Sequence, residues 1–371
     1  MDIIYRIENV TVCAYCDNQR IGKVGVPHID LHWADGVYVP LAGIGGVGTE
    51  EAFRGQGIAG RMMDAAKTFA REKGYVVSGL TTNLGNNARR LYARAGYTTV
   101  FRPGRFEKRL HPVVLPHVDG ITIRPYSEGD EQTFIRLFEQ QYRSAIGYRA
   151  KTPESWRTTR LPYLTEEPGA FLVAEADGKV LGWTGIFRKW VGLCTEIWTV
   201  PDRGPVAQGL LSFMEKHHVS VGRTDCHIWA SPQDHFMADI FVQNGYTFGE
   251  KRVFMLHVID LPGLLRALLP SFNKRLCDST WTGAVQFVTP EQQAVLQVGS
   301  NLDVAPDGAA TVILQTDSST LCRLLVGVMD PYEAYIENLL SVRPGYTSDI
   351  HTLLTKLFPP LMPFHPADDL W

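Results

Sequence analysis

Short apolar runs alternate with segments of helical period along the chain, and this pattern predicts a mixed α/β protein. Residues 41–49 form an apolar, glycine-rich run typical of a strand, and residues 61–73 carry apolar side chains at helical spacing. Between them, residues 54–60 read RGQGIAG. A strand, a glycine turn and a helix start favour an anion site, because the first helical N–H groups have no partner within the helix and glycine lets a phosphate approach.

Two common phosphate loops differ from this one. A Walker loop requires Gly-Lys-Ser/Thr, whereas Gly57 is followed by isoleucine and alanine. Residues 55–60 fit the dinucleotide-binding spacing, but that fingerprint needs an acidic residue about 20 positions later. The strand predicted over 75–80 instead leads into two threonines and an asparagine, and Arg54 opens the loop. Neither nucleotide-binding class fits.

A second block identifies a family. The pattern Arg-x-x-Gly-x-Ala begins at Arg54, and residues 88–97, ARRLYARAGY, place Tyr92 38 positions later (92 minus 54). Together they resemble the pyrophosphate loop and the A-x-x-L-Y-x-x-x-G-[FY] segment of the GCN5-related N-acetyltransferases (GNAT). The resemblance implies a GNAT fold with acetyl-CoA as cosubstrate and without a metal.

The resemblance also implies roles for individual residues. Backbone groups of the loop would hold the pyrophosphate, and the edge of the preceding strand would pair with the pantetheine arm. Tyr92 would act as the general acid on the departing thiol, and Asn87, among the asparagines near residue 85, would reach the cofactor. The cofactor-binding set is Gly46, Val47, Gly48, Arg54, Gly55, Gln56, Gly57, Ile58, Ala59, Gly60 and Asn87.

The general base stays open at the level of sequence. In acetyltransferases of the enhanced intracellular survival (Eis) group, which this chain resembles in architecture, the C-terminal carboxylate enters the active site. Here that carboxylate belongs to Trp371. Glu50, Glu51 and His32 are the alternatives.

An internal repeat organises the first two thirds of the chain. Residues 239–247, DIFVQNGYT, match residues 90–98, RLYARAGYT, at an offset of 149 (241 minus 92). The same offset places Arg203 on Arg54 (203 minus 54). Agreement of two blocks at one offset predicts two copies of one fold.

The second copy differs where the cofactor would bind. Pro205 and Val206 stand where the first loop has glutamine and glycine, and Phe241 replaces Tyr92. Proline lacks a backbone N–H, and valine adds a branched side chain at the phosphate. The second copy is therefore predicted to be degenerate.

The first copy is predicted to lack the family's first strand and its two acceptor-side helices. Its first hairpin, over 10–26, begins almost at once, whereas about 50 residues precede the equivalent hairpin of the second copy. Residues 27–40 read as a long polar connection that carries His28, Asp30, His32 and Asp35.

The pattern changes in the last third of the chain, where a helix is predicted to end before Pro270. The segments that follow are predicted strands over 284–288, 294–298 and 311–315, and then predicted helices over 318–328, 331–340 and 352–358. Residues 317–327 resemble sterol-carrier-protein-like domains. The predicted organisation is an α+β chain of two tandem GNAT folds, 1–112 and 119–259, followed by a sterol-carrier-protein-like domain over 260–371. This order resembles the Eis acetyltransferases and implies a homo-oligomer, a trimer or hexamer.

Composition and charge limit the classes of molecule that the protein is expected to bind. The net charge is −3 without a lysine-arginine block, which argues against nucleic acid, and no apolar run reaches membrane-spanning length. The six cysteines lack the spacing of a zinc site, and the N-terminus does not read as a signal peptide, so a cytoplasmic protein is expected. We expect acetyl transfer to a primary amine; a non-catalytic acyl-CoA or lipid-binding protein and an assembly scaffold are the alternatives.

Overall fold

The computed structural model describes residues 3–111, 120–162, 170–189, 192–200, 203–366 and 369. These residues form two compact units. The first contains residues 3–102 and 252–361, and the second contains the described parts of 103–251 and 362–370. Each unit is thus built from separate stretches of the chain, unlike the continuous domains predicted from the sequence.

The first unit begins with a four-stranded antiparallel sheet. Its strands are β1 (Ile3–Glu8), β2 (Thr11–Cys16), β3 (Gln19–Gly25) and, after two strands of another sheet, β6 (Gly45–Thr49), in the order β1-β2-β3-β6. Asp17 and Asn18 turn β2 into β3 with positive φ, as two-residue hairpins require. The prediction that the first strand is missing is wrong, because β1 pairs with β2 along its length. No helix separates them, since only residues 9–10 join the two strands.

A second sheet of this unit contains β4 (His28–Trp33), β5 (Tyr38–Gly43), β7 (Val77–Asn83), β17 (Arg252–Val258) and β8 (Thr98–Phe101), adjacent in that order. β4 and β5 form an antiparallel hairpin, so the interpretation of residues 27–40 as a long connection is wrong. The signal was present in the sequence. Ile29, Leu31 and Trp33 are buried, whereas His28 and Asp30, which alternate with the first two, are exposed. This alternation is typical of a half-buried strand.

Two helices pack beside these sheets. α1 (Ile58–Glu72) buries Ile58, Met62, Ala66 and Phe69, which recur at helical spacing, in a core shared with β2, β3 and β7. The helix predicted over 61–73 is thus observed with an earlier start. α2 (Arg89–Arg94) is a short helix that buries Tyr92 in the same core.

The second unit contains a seven-stranded sheet. Its strands, in sheet order, are β10 (Thr122–Pro125), β12 (Ala170–Ala176), β13 (Lys179–Lys189), β14 (Gly192–Thr199), β15 (Asp225–Trp229), β9 (Gly104–Arg109) and β16 (Thr247–Glu250). Asp177 and Gly178 turn β12 into β13 with positive φ. Outside this sheet, β11 (Ala145–Arg149) pairs in parallel with β23 (Met362–Pro363).

Four described helices belong to the second unit. They are α3 (Asp130–Gln141), α4 (Pro153–Ser155, continued by a π-helical turn), α5 (Gly204–Ser220) and α6 (His235–Gln243). α5 and α6 bury Leu210, Met214 and Phe241 in one core with Phe106 of β9 and Ile228 of β15. The order β14-α5-β15-α6-β16 repeats the order β6-α1-β7-α2-β8 of the first unit.

The two predicted copies exchange their last strands. β9 is the last strand of the first predicted copy in sequence, but it lies between β15 and β16 of the second unit and pairs antiparallel with both. Conversely, β17 is the last strand of the second predicted copy, but it lies between β7 and β8 of the first unit. Each sheet is therefore completed by a strand from the other half of the chain.

The remainder of the first unit is an α+β segment. Its sheet order is β20-β19-β18-β21-β22, with β18 (Gly283–Val288), β19 (Gln293–Val298), β20 (Asp303–Ala305), β21 (Val312–Thr316) and β22 (Leu340–Arg343). Its helices are α7 (Leu261–Leu276), α8 (Ser318–Leu325), α9 (Pro331–Ile336) and α10 (Ser348–Leu357). α7 continues through Pro270, and α9 ends before β22, so both predicted helix ends there were wrong.

Candidate functional site

The continuation of β5 into β6 diverges from β7 beside the predicted loop. β5 runs parallel to β7 as far as the pair Gly43 and Gly79, and the Ile44 N–H then donates to the Gly79 carbonyl at 2.7 Å. Beyond that point β6 joins the other sheet, where it pairs with β3 and is the terminal strand of the described part. β6 therefore presents a strand edge next to an opening, to which an extended ligand can pair.

Three of the predicted glycines adopt left-handed backbone conformations. Gly46, Gly55 and Gly57 have φ values of 58°, 80° and 75°. A Cβ built on any of them would meet no other atom within 4 Å. The conformation, rather than lack of space, therefore requires glycine at these positions, because L-residues with side chains pay to enter this region.

The start of α1 is open to an anion. Gly57 is the N-cap, its carbonyl accepts from the Arg61 N–H at 3.2 Å, and no side chain caps this end in the described structure. The N–H groups of Ile58, Ala59 and Gly60 precede the first intrahelical donor, so they have no partner within the helix. Together with the helix dipole they form a positive end suited to a phosphate.

The two long side chains of the loop lie on the surface. The Arg54 side chain is 67% exposed, and its Nε donates to the Thr49 carbonyl at 3.3 Å. Gln56 is also exposed. The exposed Arg54 side chain can therefore reorient toward a bound phosphate.

Tyr92 lies on α2, in the same core cluster as Ile58 at the start of α1. Its side chain is buried, and the described structure gives its hydroxyl no hydrogen-bond partner. Burial raises the pKa of Tyr92 above its ordinary value, so the phenol stays protonated through the neutral range. A neutral phenol without a fixed acceptor can donate a proton to a ligand.

Three asparagines lie at the end of β7 or just after it, and two of them have structural partners. Asn83 Oδ1 accepts from Arg252 Nη1 at 2.9 Å. Asn86 accepts from the Ala88 N–H at 2.9 Å through Oδ1 and donates to Thr82 at 2.9 Å through Nδ2. The Asn87 side chain is exposed and has no hydrogen bond in the described structure. Of the three, Asn87 alone keeps its side-chain amide available to a ligand.

Comparison with known families decides the nature of this region. The family model described as "Acetyltransferase (GNAT) domain" matches residues 8–99, which include the open loop and Tyr92. Residues 8–99 form a GNAT domain. No curated protein matches the sequence significantly.

Solved structures share the architecture over nearly the whole chain. GCN5-related N-acetyltransferases from Anabaena variabilis ATCC 29413 (18% identity, TM-score 0.71) and Kribbella flavida (18%, 0.68) match 98% and 97% of this chain and 90% and 87% of their own lengths. Eis1 from Mycobacterium abscessus (14%, 0.59) matches 98% of this chain and 91% of its own. At these identities the likeness shows the fold, which includes the Eis-like architecture predicted from the sequence.

The GNAT domain lacks acceptor-side helices of its own within the described ranges, and helices from the last third of the chain cover the corresponding sheet. α7 contacts β5, and α8 contacts β17 and β8. Trp33 at the end of β4 donates through Nε1 to the Leu325 carbonyl of α8 at 2.9 Å. Helices from the last third of the chain therefore pack on the sheet of the GNAT domain.

An ionic cluster fixes α7 against the GNAT domain. Asp35, in the turn between β4 and β5, accepts from Ser271 at 2.6 Å, Lys274 at 2.8 Å and Arg275 at 3.0 Å, all on α7. Burial acts to raise the pKa of Asp35, but these donors outweigh it and hold the pKa below its usual value. The carboxylate is therefore charged at neutral pH and fixes α7 against the β4–β5 hairpin.

Sequence reasoning missed Arg252. It begins β17, is 4% exposed, and donates to Asn83 at 2.9 Å and to Thr81 at 3.1 Å at the end of β7. Burial lowers the pKa of Arg252 to about 10. No local motif marks this arginine, because only the strand exchange brings it beside the GNAT domain's own residues.

The three candidate bases within the described residues have different surroundings. Glu51 is 91% exposed, and Glu50 accepts from Gln19 at 3.2 Å. His32 is buried, and its ring nitrogens lie 3.4 and 3.3 Å from the backbone nitrogens of Ala34 and Gly36. His32 thus braces its own hairpin turn. Trp371 lies outside the described residues.

The equivalent loop of the second unit has lost the open geometry. α5 begins at Gly204, with Pro205 in its first turn, and its N-cap, Arg203, has a φ of −110°. Val206 is 1% exposed and packs in the core. Phe241 on α6 is fully buried against Phe106 and Tyr246. Among the described residues, this end presents neither left-handed glycines nor a phenol.

The described ranges contain neither a membrane-spanning helix nor a metal centre. No helix there is long and apolar enough to cross a bilayer. No group of three or more His, Cys, Asp and Glu side chains in the same ranges is arranged to hold a metal ion.

Proposed function

We propose that the GNAT domain transfers an acetyl group from acetyl-CoA to a primary amine. The observation that carries the proposal is Gly57, a left-handed N-cap at a helix end that no side chain covers in the described structure. Family membership supports acyl transfer in general, and this end supplies a place for the cosubstrate's pyrophosphate.

In this proposal the cosubstrate lies along the loop and the β6 edge. The N–H groups from Gly55 to Gly60 bind the pyrophosphate, and Arg54 turns toward its charge. The pantetheine arm pairs with Gly46–Gly48 as an added strand. A backbone N–H there can donate to the thioester carbonyl and stabilise the oxyanion that forms on attack.

The reaction then needs one proton donor and one acceptor. The amine nitrogen attacks the thioester carbon, and the tetrahedral intermediate collapses by breaking the carbon–sulfur bond. Tyr92 gives its proton to the departing sulfur, whose thiol has a pKa of about 8.5. The phenolate regains a proton from solvent after CoA leaves.

The attacking nitrogen must lose a proton as well. An alkylamine with a pKa near that of lysine, about 10.4, is less than about 0.1% neutral at pH 7, so a base or a water path is needed. The Trp371 carboxylate is the base that the Eis resemblance favours. Asn87 completes the proposed cosubstrate contacts.

The test is a calorimetric titration of the full chain with acetyl-CoA. We expect one site per chain, and we expect Gly57→Val to abolish it, because valine strains the left-handed N-cap and its branches obstruct the phosphate. Gly74→Val is the matched control. Gly74 has a φ of 77°, a Cβ added to it would meet nothing within 4 Å, and it lies at the opposite end of α1.

Gly74→Val should have the same backbone strain as Gly57→Val, and its acetyl-CoA affinity should stay within about threefold of that of the unmodified chain. Two sites per chain would contradict the prediction that the second unit is degenerate. Absence of binding in the unmodified chain would overturn the transferase proposal. Equal loss in both variants would show that strain, rather than the loop, determines binding.

A further inference from the structure

We propose that the second unit binds the ammonium group of an organic amine in an aromatic recess. The recess lies where β14 and β15 separate. These strands pair through Thr195 and Ile228, after which Glu196 and Trp198 continue on β14 and Trp229 continues on β15. This place corresponds to the β6–β7 opening of the GNAT domain, but its lining has different chemistry.

Six aromatic rings line the recess: Phe138, Tyr142, Trp183, Trp198, Trp229 and Phe364. Trp183 and Trp198 stack with centroids 4.4 Å apart and planes 25° apart. Tyr142 and Phe364 also stack, at 4.4 Å and 20°. Mutual stacking fixes these rings in place, so their electron-rich faces are preorganised for a cation.

Acidic groups lie in and beside the recess, and the basic groups near its rings are paired with carboxylates. Arg105, 5.9 Å from the Trp229 ring centre, pairs with Glu107 at 2.7 Å. Among the described residues, Glu196 is the single charged one in the lining, and Trp183 Nε1 donates to Glu196 Oε1 at 3.4 Å. Next to the lining, Asp234 accepts from the Tyr142 hydroxyl at 2.8 Å. Lys151 lies 5.6 Å from the Phe138 ring centre, but it forms an ion pair with Asp369 at 2.7 Å. The lining therefore attracts a positive group.

The size of the recess limits what it can hold. Its enclosed space is about 20 Å³, which is room for one water-sized group. An ammonium head therefore fits there with its alkyl chain outside at the mouth, and a whole cofactor does not fit.

The experiment compares n-butylammonium chloride with 1-butanol on the full chain without acetyl-CoA, at constant ionic strength. Indole ¹H–¹⁵N signals of Trp183, Trp198 and Trp229, assigned with single Trp→Phe variants, report on the recess. We expect saturable shifts with butylammonium and at least tenfold weaker binding of butanol. Glu196→Gln should weaken butylammonium about tenfold and leave butanol unchanged.

Controls separate this site from the proposed acetyl-CoA site. Glu154→Gln, an exposed change in the same unit, and Gly57→Val should both leave the shifts intact. If Glu196→Gln fails to fold, Trp229→Leu provides the test, since losing an aromatic face should weaken the cation selectively. Equal affinity for butanol, or shifts confined to tryptophans outside the recess, would overturn the proposal.

Discussion

The hydroxyl of Tyr92 provides a sharp test of the proposed chemistry. Tyr92→Phe removes one oxygen from a buried ring that has no hydrogen-bond partner in the described structure, and Phe241 already occupies the equivalent place in the second unit. We therefore expect the free energy of unfolding to change by less than about 0.5 kcal/mol. Acetyl-CoA affinity should also be unchanged.

Catalysis should respond very differently. A positioned general acid contributes a factor of about 10² to 10⁴, so kcat should fall at least about 100-fold. Because burial raises the Tyr92 pKa above its usual value of about 10, the unmodified enzyme should keep this proton donor up to at least that pH. Activity that depends on the phenol should then decline as pH rises further.

The assay follows release of the CoA thiol with a chromogenic disulfide, using the primary amine with the highest turnover in a panel. Tyr97→Phe is the matched control, since Tyr97 is also buried but its hydroxyl lies 2.7 Å from Ser78 Oγ, which donates to the Ala42 carbonyl. That variant should lose about 1 kcal/mol of stability and keep kcat within about threefold.

The two variants thus have opposite signatures, one catalytic and one structural. A Tyr92→Phe enzyme with kcat within threefold of the unmodified enzyme would refute the assignment of Tyr92 as the general acid. A variant that loses acetyl-CoA binding instead would show that the hydroxyl binds the cosubstrate.

Three further predictions concern the framework. Asp35→Ala should lower the free energy of unfolding by about 2 to 3 kcal/mol in urea titration, because largely buried Arg275 loses its carboxylate. Burial lowers the pKa of His218 to about 4. As pH drops from about 6.5 to 4, the unfolded chain binds a proton at this histidine and the folded chain does not, so the free energy of unfolding should fall by about 3 kcal/mol. A chain truncated after residue 112 should show no cooperative thermal transition by circular dichroism, because β17 is missing from between β7 and β8.

Each of these predictions has a clear contrary result. Asp30→Ala, an exposed counterpart in the same hairpin, should change stability by less than about 1 kcal/mol, and an equal loss in both variants would contradict the buried-anchor argument. His218→Gln should flatten the acid dependence, so an unchanged slope would assign it to other groups. A sharp melting transition in the truncated chain would show that the first sheet closes without β17.

Local backbone requirements were readable from the sequence. The glycines at 46, 55 and 57 occupy left-handed conformations, and a helix begins directly after the last of them. Such requirements depend on one residue and its neighbours, so a motif can reveal them.

Long-range pairing was not readable. β9 and β17 have similar places in the two copies, so alternation of side chains cannot say which sheet each one enters. The cover supplied by α7 and α8, and with it the position of Arg252, follows from contacts between distant segments. Pro270 was misleading because the apolar face of α7 continues beyond it through Phe272 and Leu276.

The exchange of last strands also bears on how the protein is made. β8 ends at residue 101 and β17 begins at residue 252, so 151 positions (252 minus 101) separate two neighbouring strands. At about 5 to 20 residues per second, the ribosome needs about 8 to 30 s to deliver the missing strand. During that interval the edges of β7 and β8 have no partner and can pair with other nascent chains. Translation speed and chaperone supply should therefore govern the yield of soluble protein more than the final stability does.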